Sequence, residues 1–563
     1  MTDPVRLWAP NARRVAMLVA NTPVEMRREP DGWWSGPALA SGTNYAFSLD
    51  GGPPRPDPRS RWQPDGVHGG SRWIDHAPLR SPATHTIVPL REAIVYELHV
   101  GTFTRSGTFA EAIPHLDQLV ELGVTHVELM PVAQFSGNHG WGYDGVDLFA
   151  PHAPYGGPHG LHELIRACHA RGLAVLVDIV PNHFGPDGAY VHELGPYTHD
   201  RHVTPWGDAV NLDGEGSREV RQFLIDSALS WLRDYGADGL RIDALHALRD
   251  TSEPHFVAEL VDAVRDLERE LGRPLILIGE YDDHDPIAVS DRATGGWGLD
   301  AHWNDDFHHA VHALLVGEHA GYYQDFAGHD AITSALERGY VLDGRDSGFR
   351  GVPHGKPFGA LPRDRLVAYI QSHDQVGNRA AGERLHQLCG LARTRVAAAL
   401  LLVSPFVPML FQGEEWAAST PFCYFADHES EELRRAVREG RRAEHAAAGW
   451  TGPEIDPVDP ATRELATLRW DERGEPDHRA MLAWYRALIT ARRELSALRD
   501  PSPRSTRATF ERGLLVVDRG ALRLVCNLTG EPARSDLGDV VLASDDRAST
   551  RELPPWSCAL SRV

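Results

Sequence analysis

Between residues 93 and 411 the chain alternates short, largely apolar runs with longer segments whose apolar residues recur every three or four positions. The runs are IVYELHV (94–100), VTHVELM (124–130), LAVLVDIV (173–180), DGLRIDAL (238–245), LILIGE (275–280), LVAYIQS (366–372) and VPMLF (407–411), with a weaker one at HWNDDF (302–307). Runs of this kind predict strands covered on both faces. The intervening EAIPHLDQLVELG, LHELIRACHARG, VRQFLIDSALSWLRDYG and FVAELVDAVRDLEREL carry helical spacing. Such strand–helix alternation over this length implies a parallel sheet closed as a (β/α)8 TIM barrel, so the fold class is α/β.

The pattern differs at both ends. Residues 1–85 hold short apolar runs broken by Pro and Gly, as in PDGWWSGP and GGPPRPDPRS, and predict a small all-β module. After the helical HRAMLAWYRALITARREL, a Pro/Ser/Arg-rich joint leads to two apolar runs around Arg519-Gly520, which predict a hairpin. The expected units are therefore 1–85, a barrel over 86–499 with a short insertion at 184–217, and a β domain over 500–563.

Charge narrows the function. The chain has 56 Lys and Arg against 79 Asp and Glu, a net charge of −23. That argues against a broad nucleic-acid or anionic-membrane surface and favours a neutral ligand. The start, MTDPVRLWAP, shows no basic and apolar leader, and no apolar run is long enough to span a bilayer. The five cysteines never occur in CxxC spacing, which speaks against a disulfide framework or a structural zinc site. A cytoplasmic enzyme is expected.

In a (β/α)8 barrel the chemistry sits at the C-terminal ends of the strands. Asp243 ends GLRID, Glu280 ends LILIGE and Asp374 follows YIQSH. Three acids at three strand ends point to acid–base work on a sugar, because glycoside cleavage needs one carboxylate and one carboxylic acid flanking the bond. Arg241 lies two residues before Asp243, so both side chains share a strand face, and the guanidinium would hold Asp243 ionised as a nucleophile. Glu280 follows an apolar run whose desolvation would favour the neutral acid, making it the candidate proton donor.

DIVPNH (178–183), GLRIDALH (239–246), IGEY (278–281) and SHDQVGN (372–378) occur in that order. They resemble the four signature regions of the α-amylase superfamily of retaining glycosidases, glycoside hydrolase family 13. YELHVGTFT (96–104), HGWGYDG (139–145), LDAHWNDDFHHAVH (299–312), SHDQVGNRAAGERL (372–385), FQGEEW (411–416) and VREGRRAEHAAAGW (437–450) narrow the resemblance to maltooligosyltrehalose trehalohydrolases. Those enzymes hydrolyse the α-1,4 bond next to a terminal trehalose, and their barrel carries an N-terminal β-sandwich and a C-terminal β domain. The resemblance implies maltooligosyl trehalose as substrate, trehalose as product, a partner maltooligosyltrehalose synthase upstream, and no cofactor.

By the same resemblance Asp243 is the nucleophile, Glu280 the acid/base, and Asp374 grips hydroxyls of the distorted sugar. Arg241, His183 and His373 line that subsite, Tyr143 stacks on the ring and Asp144 binds its hydroxyls. His246 stands where an ordinary α-amylase has Lys, a departure that favours the trehalohydrolase. Gln375 is expected on the leaving-group side, and Asp306, with Asp305, near the trehalose subsites.

Several features also admit plainer explanations. Asp178 can serve only to tie Arg241 in place. Asn182 helps bind calcium in some amylases, but the 184–217 insertion is poor in carboxylate clusters and calcium needs six to eight oxygens; a loop-fixing role is expected, and no metal site. His308 and His312, one helical turn apart, lack the glutamate of HExxH and are read as packing or sugar contacts. Trp33, Trp34 and Trp62 are read as core or interface residues before glucan contacts, and ELRRAVREGRR as a solvated helix face. Two other functions share the features: a glucan-branching transferase with the same three acids, against which HWNDDFHH and His246 weigh, and a non-catalytic glucan binder, which would have lost an acid that is present here.

Overall fold

Eight parallel strands close into a barrel in chain order: β1 Val95–Leu98, β2 His126–Leu129, β3 Ala174–Ile179, β4 Gly239–Ile242, β5 Ile276–Gly279, β6 Ala301–Trp303, β7 Leu366–Ala368 and β8 Val407–Phe411, with β8 pairing back onto β1. This computed structural model describes residues 4–80, 86–450 and 455–563. Every expected run contributes one strand. The expected boundary at 85/86 adjoins residues 81–85, outside the described residues.

Apart from the half-buried Ile179 at the end of β3, the strands are buried along their length, as their apolar texture requires. The exceptions to that texture set up the site. Glu97 on β1 lies opposite Glu128 on β2, and Asp178 on β3 lies opposite Arg241 on β4, so four ionisable side chains stand on neighbouring strands.

The long helices that concern the site and its supports are α1 Gly157–His169, α2 Ser217–Ser230, α3 Phe256–Leu271, α4 Asp305–Val316, α5 Glu431–Ala448 and α6 Pro476–Glu494. The weak run at 302–307 is shorter as a strand than its pattern implied. β6 ends at Trp303, Asn304 caps α4 by accepting from the Phe307 N–H (3.4 Å), and Asp305 and Asp306 fall in the first helical turn. Acidic residues are favoured there by the helix dipole.

The N-terminal module is a four-stranded and a three-stranded antiparallel sheet. Trp33 donates to Glu219 on α2 (3.0 Å), Trp62 meets the edge of His159 on α1, and Trp34 is buried within the module. All three tryptophans therefore serve the core or the interface with the barrel. At the other end, Thr506–Glu511, Leu514–Arg519, Leu522–Asn527, Ser557–Arg562 and Asp539–Ala543 form one antiparallel sheet. Its predicted hairpin turns at Gly520 and Ala521, with Gly520 at φ +59°, a conformation glycine adopts without strain. Among the described residues no helix is long and apolar enough to cross a membrane.

Candidate active site

One guanidinium organises the top of the barrel. Arg241 is fully buried; its Nη1 donates to Asp178 Oδ2 (2.8 Å) and Asp243 Oδ1 (2.7 Å), and its Nη2 lies 2.9 Å from Glu280 Oε2 as a charge contact without an aligned N–H. The Trp303 ring covers the guanidinium at 4.2 Å. The sequence offers Arg241 two partners, Asp243 and Asp178; the fold adds Glu280 as a third. Burial pushes Asp178 up to about 7 against the pull of Arg241 and a hydrogen bond from the Tyr143 hydroxyl (2.7 Å). Asp178 is thus a buried carboxyl poised to take a proton near neutrality, and its contacts are those of a residue that orients Arg241.

Asp243 is held at both oxygens. Asn182 Nδ2 donates to Oδ2 (2.7 Å) and to the Asp243 carbonyl (3.1 Å). Asn182 is therefore not a loop-fixer, as its sequence context implied, but a direct partner of Asp243. The next residue, Ala244, has φ +41°, a left-handed conformation that costs a non-glycine residue about 1–3 kcal/mol. In that conformation its N–H donates to Glu280 Oε2 (3.0 Å), and the Leu245 N–H donates to the Glu280 carbonyl (2.8 Å). The strained turn thereby joins the ends of β4 and β5 and sets Glu280 beside Asp243.

Asp374 enters from a short helix, His373–Gly377, capped by Ser372. Asn378 Nδ2 donates to Asp374 Oδ1 (3.1 Å). Next to it, His373 is buried between the Tyr143 ring, stacked at 5.0 Å, and the edge of Trp141 at 5.4 Å. Glu97 takes both the His373 N–H (3.0 Å) and Nδ1 (2.5 Å), one with each carboxylate oxygen. Burial alone would lower the imidazole, but the charges of Glu97 and Asp374 raise it to about 9, so it is a cation at neutral pH. Glu97 is an acid inside an apolar strand, YELHV, and that anomaly was the available signal for it.

This pair yields a prediction. His373 titrates at about 9 in the fold against an ordinary 6.5, so its stabilising contribution is complete below pH 6.5 and is lost as pH rises through 9. In Glu97→Gln the wild-type advantage in chemical denaturation should be largest below pH 6.5 and shrink by pH 10. The alkaline limb of kcat/KM should move down by at least about one pH unit as the partner charge is lost. An unmoved limb would show that Glu97 only fills space.

Asp243, Glu280 and Asp374 line one cleft of about 730 Å³. Tyr143, Asp144, His183, His246 and His373 share its wall, as expected from the sequence. His183 stacks on the half-exposed Trp206 at 5.0 Å, and burial lowers its imidazole to about 4. Burial raises Asp144, which lies 3.9 Å from His428. His246 faces both the cleft and an adjoining hollow of about 360 Å³, and its Nδ1 has no partner.

Two expected residues are placed differently. Asp306 is completely buried and accepts the backbone N–H groups of Val341 (2.6 Å) and Leu342 (2.7 Å). It turns away from the cleft because the first turn of α4 points consecutive side chains to different sides; its neighbour Asp305 faces the cleft instead. Gln375 reaches the site through that neighbour, donating to Asp305 Oδ1 (3.2 Å). Burial pushes Asp305 up to about 7. His308 and His312 are buried against Tyr323, with partners at the Ile370 carbonyl (2.9 Å) and Glu318 (2.8 Å), so they pack. Among the described residues, the group with metal-ligand spacing is Asp282, His284 and His354, but both oxygens of Asp282 are already taken by Arg350 (2.5 and 2.7 Å).

Known proteins match this arrangement along the whole chain. Residues 82–202 match the model described as "Alpha amylase, catalytic domain", and residues 502–560 match a domain of unknown function (DUF3459). A malto-oligosyltrehalose trehalohydrolase of Arthrobacter ramosus is 46% identical over 95% of this chain and 95% of its own length. The chain belongs to the malto-oligosyltrehalose trehalohydrolase family. The Mycobacterium tuberculosis trehalohydrolase is 44% identical over 99% of both chains. A solved structure, a putative α-amylase of Salmonella typhimurium, superposes with a TM-score of 0.92 at 38% identity, covering 99% of this chain and 97% of its own. As a trehalohydrolase-family glycoside hydrolase, the chain fits its strand-end carboxylates and its three-part architecture.

Proposed function

We propose that this chain hydrolyses the α-1,4 bond joining a maltooligosaccharide to a terminal trehalose, and that it does so by retaining double displacement. Asp243 is the nucleophile. Arg241 and Asn182 bind its two oxygens and aim it at the anomeric carbon. Glu280 protonates the departing oxygen of trehalose, then takes a proton from the water that releases the glycosyl–enzyme. Asp374 and His373 bind sugar hydroxyls as the ring flattens.

The observation that carries this reading is the shared guanidinium. Asp243 Oδ1 and Glu280 Oε2 meet the two terminal nitrogens of Arg241. Two carboxyls on one guanidinium favour the short separation of a retaining pair, about 5–5.5 Å, over the wider gap in which an inverting enzyme keeps a water between its base and the anomeric carbon. Trehalose specificity is supported by His246, which lines both the cleft and the hollow beside it on the β4 and β5 side. A buried polar group that pairs only with the correct ligand rejects others strongly.

The substrate implies a preceding enzyme that turns the reducing end of a maltooligosaccharide into an α,α-1,1 link; a maltooligosyltrehalose synthase would supply it. We place both reactions in the cytoplasm. Maltotriosyl trehalose should be cleaved with a kcat/KM at least about tenfold above that for maltopentaose, or about 1.4 kcal/mol in transition-state binding. His246→Lys should narrow that gap. Equal kcat/KM on the two substrates would replace this reading by a general α-glucan hydrolase.

A further inference from the structure

Helix α5 has no buried residue, yet one side of it is a wall of the cleft. The residues that face the cleft are Val437, Gly440, Arg441, Glu444 and Ala448, and Trp450 follows the helix end. Steps of three and four place these on one helix face. The charged run read from the sequence as a solvated surface is therefore two-sided.

Gly440 stands in the middle of this face. A glycine inside a helix costs about 0.5–1 kcal/mol relative to alanine. Protein packing does not explain it, because an added Cβ would meet nothing within 4 Å, and no left-handed φ calls for it. The glycine leaves an open trough over the helix. Polar side chains flank that trough. Arg441 Nη1 donates to Glu444 Oε2 (2.7 Å) and to Asn378 Oδ1 (2.9 Å), and Asn378 donates to Asp374. Aromatic planes close it: the Arg441 guanidinium lies 4.9 Å over Tyr424, and Trp450 is fixed by its indole N–H on Glu318 (2.9 Å).

We propose that this face of α5 binds the maltooligosaccharide part of the substrate, with a glucose unit seated over Gly440. The inference rests on the substrate reading above. Glucose rings offer flat apolar faces and a rim of hydroxyls, which suit a trough with aromatic walls and fixed ionic side chains. The trough is continuous with the catalytic cleft, whose volume of about 730 Å³ is that of a site for a ligand of several rings. It meets Asp374 through Arg441 and Asn378, and none of its α5 residues lines the hollow beside His246. Trehalose has a fixed size; the part of the substrate that varies in length needs the longer surface.

The test is Gly440→Leu beside Gly440→Ala. Both improve helix propensity, so a melting temperature at or above wild type confirms the fold. Gly440→Leu should lower kcat/KM for maltopentaosyl trehalose at least about fivefold while leaving glucosyl trehalose, which has no glucose unit beyond the one at the cleaved bond, within about twofold. Gly440→Ala should show a smaller loss of the same kind. An equal loss on both substrates, or none on the longer, overturns the proposal. Calorimetric titration with maltohexaose separates it from the substrate reading. If the wild-type protein fails to release trehalose, that reading falls, and the trough stands only if Gly440→Leu still weakens maltohexaose binding.

Discussion

Asp243→Asn should lower kcat/KM by at least about 10⁴-fold on every glycosyl substrate, the scale on which removing an enzyme's nucleophile acts. The substitution is nearly isosteric and keeps an oxygen for Arg241 Nη1 but sets an amide N–H against Asn182 Nδ2, so a drop in melting temperature should accompany the loss without unfolding the protein at assay temperature. Glu280→Gln should behave differently. With a sugar leaving group it removes general acid catalysis, a loss of about 10²–10⁴-fold. With α-glucosyl fluoride, whose leaving group needs little protonation, the first step should survive and give a burst of fluoride before the second step stalls. If both variants lose the same activity on both substrates, the two carboxyls have no divided roles.

Arg241→Met should be the most damaging single change to the fold near the site. The guanidinium is fully buried against Asp178, Asp243 and Glu280. Removing one side of a buried charge network typically costs about 3–5 kcal/mol, because the remaining charges stay desolvated and unpaired. The deficit should depend on pH. Asp178 sits at about 7 with Arg241 present, above its ordinary 3.8, because burial penalises its charged form. A carboxyl raised in the fold weakens stability progressively as pH climbs from 3.8 through 7. Without Arg241 that penalty grows, so the loss measured by urea denaturation should be smaller at pH 5 than at pH 8. A loss below about 1 kcal/mol, or one independent of pH, would mean that the carboxylates are not electrostatically dependent on Arg241.

The barrel was legible because parallel strands covered on both faces must be apolar along their length, and their ends then mark where polar chemistry begins. Asp243, Glu280 and Asp374 could be found as the first acids after apolar runs. Asp178 and Arg241 were visible as partners, since two residues on one strand face and a neighbouring strand end leave few other arrangements. The limit was β6, only three residues long: its pattern did not show where strand ended and helix began. That uncertainty of two residues left Asp305 and Asp306 undistinguished, although on a helix adjacent side chains point apart. Asn182 and Glu97 were missed for another reason. Their roles depend on contacts to Asp243 and His373 across 61 and 276 residues of chain, which local spacing cannot express. Helix α5 read as a solvated face because charge reports contact with water and not with a water-filled cleft.

The central claim is that Asp243 forms a covalent link to the sugar and that trehalose leaves first. Proton NMR of maltotriosyl trehalose hydrolysis, recorded before mutarotation, tests both parts in one experiment. The account predicts free trehalose together with maltotriose appearing first as its α-anomer. Maltotriose appearing first as the β-anomer, or glucose and maltose appearing without trehalose, would contradict it.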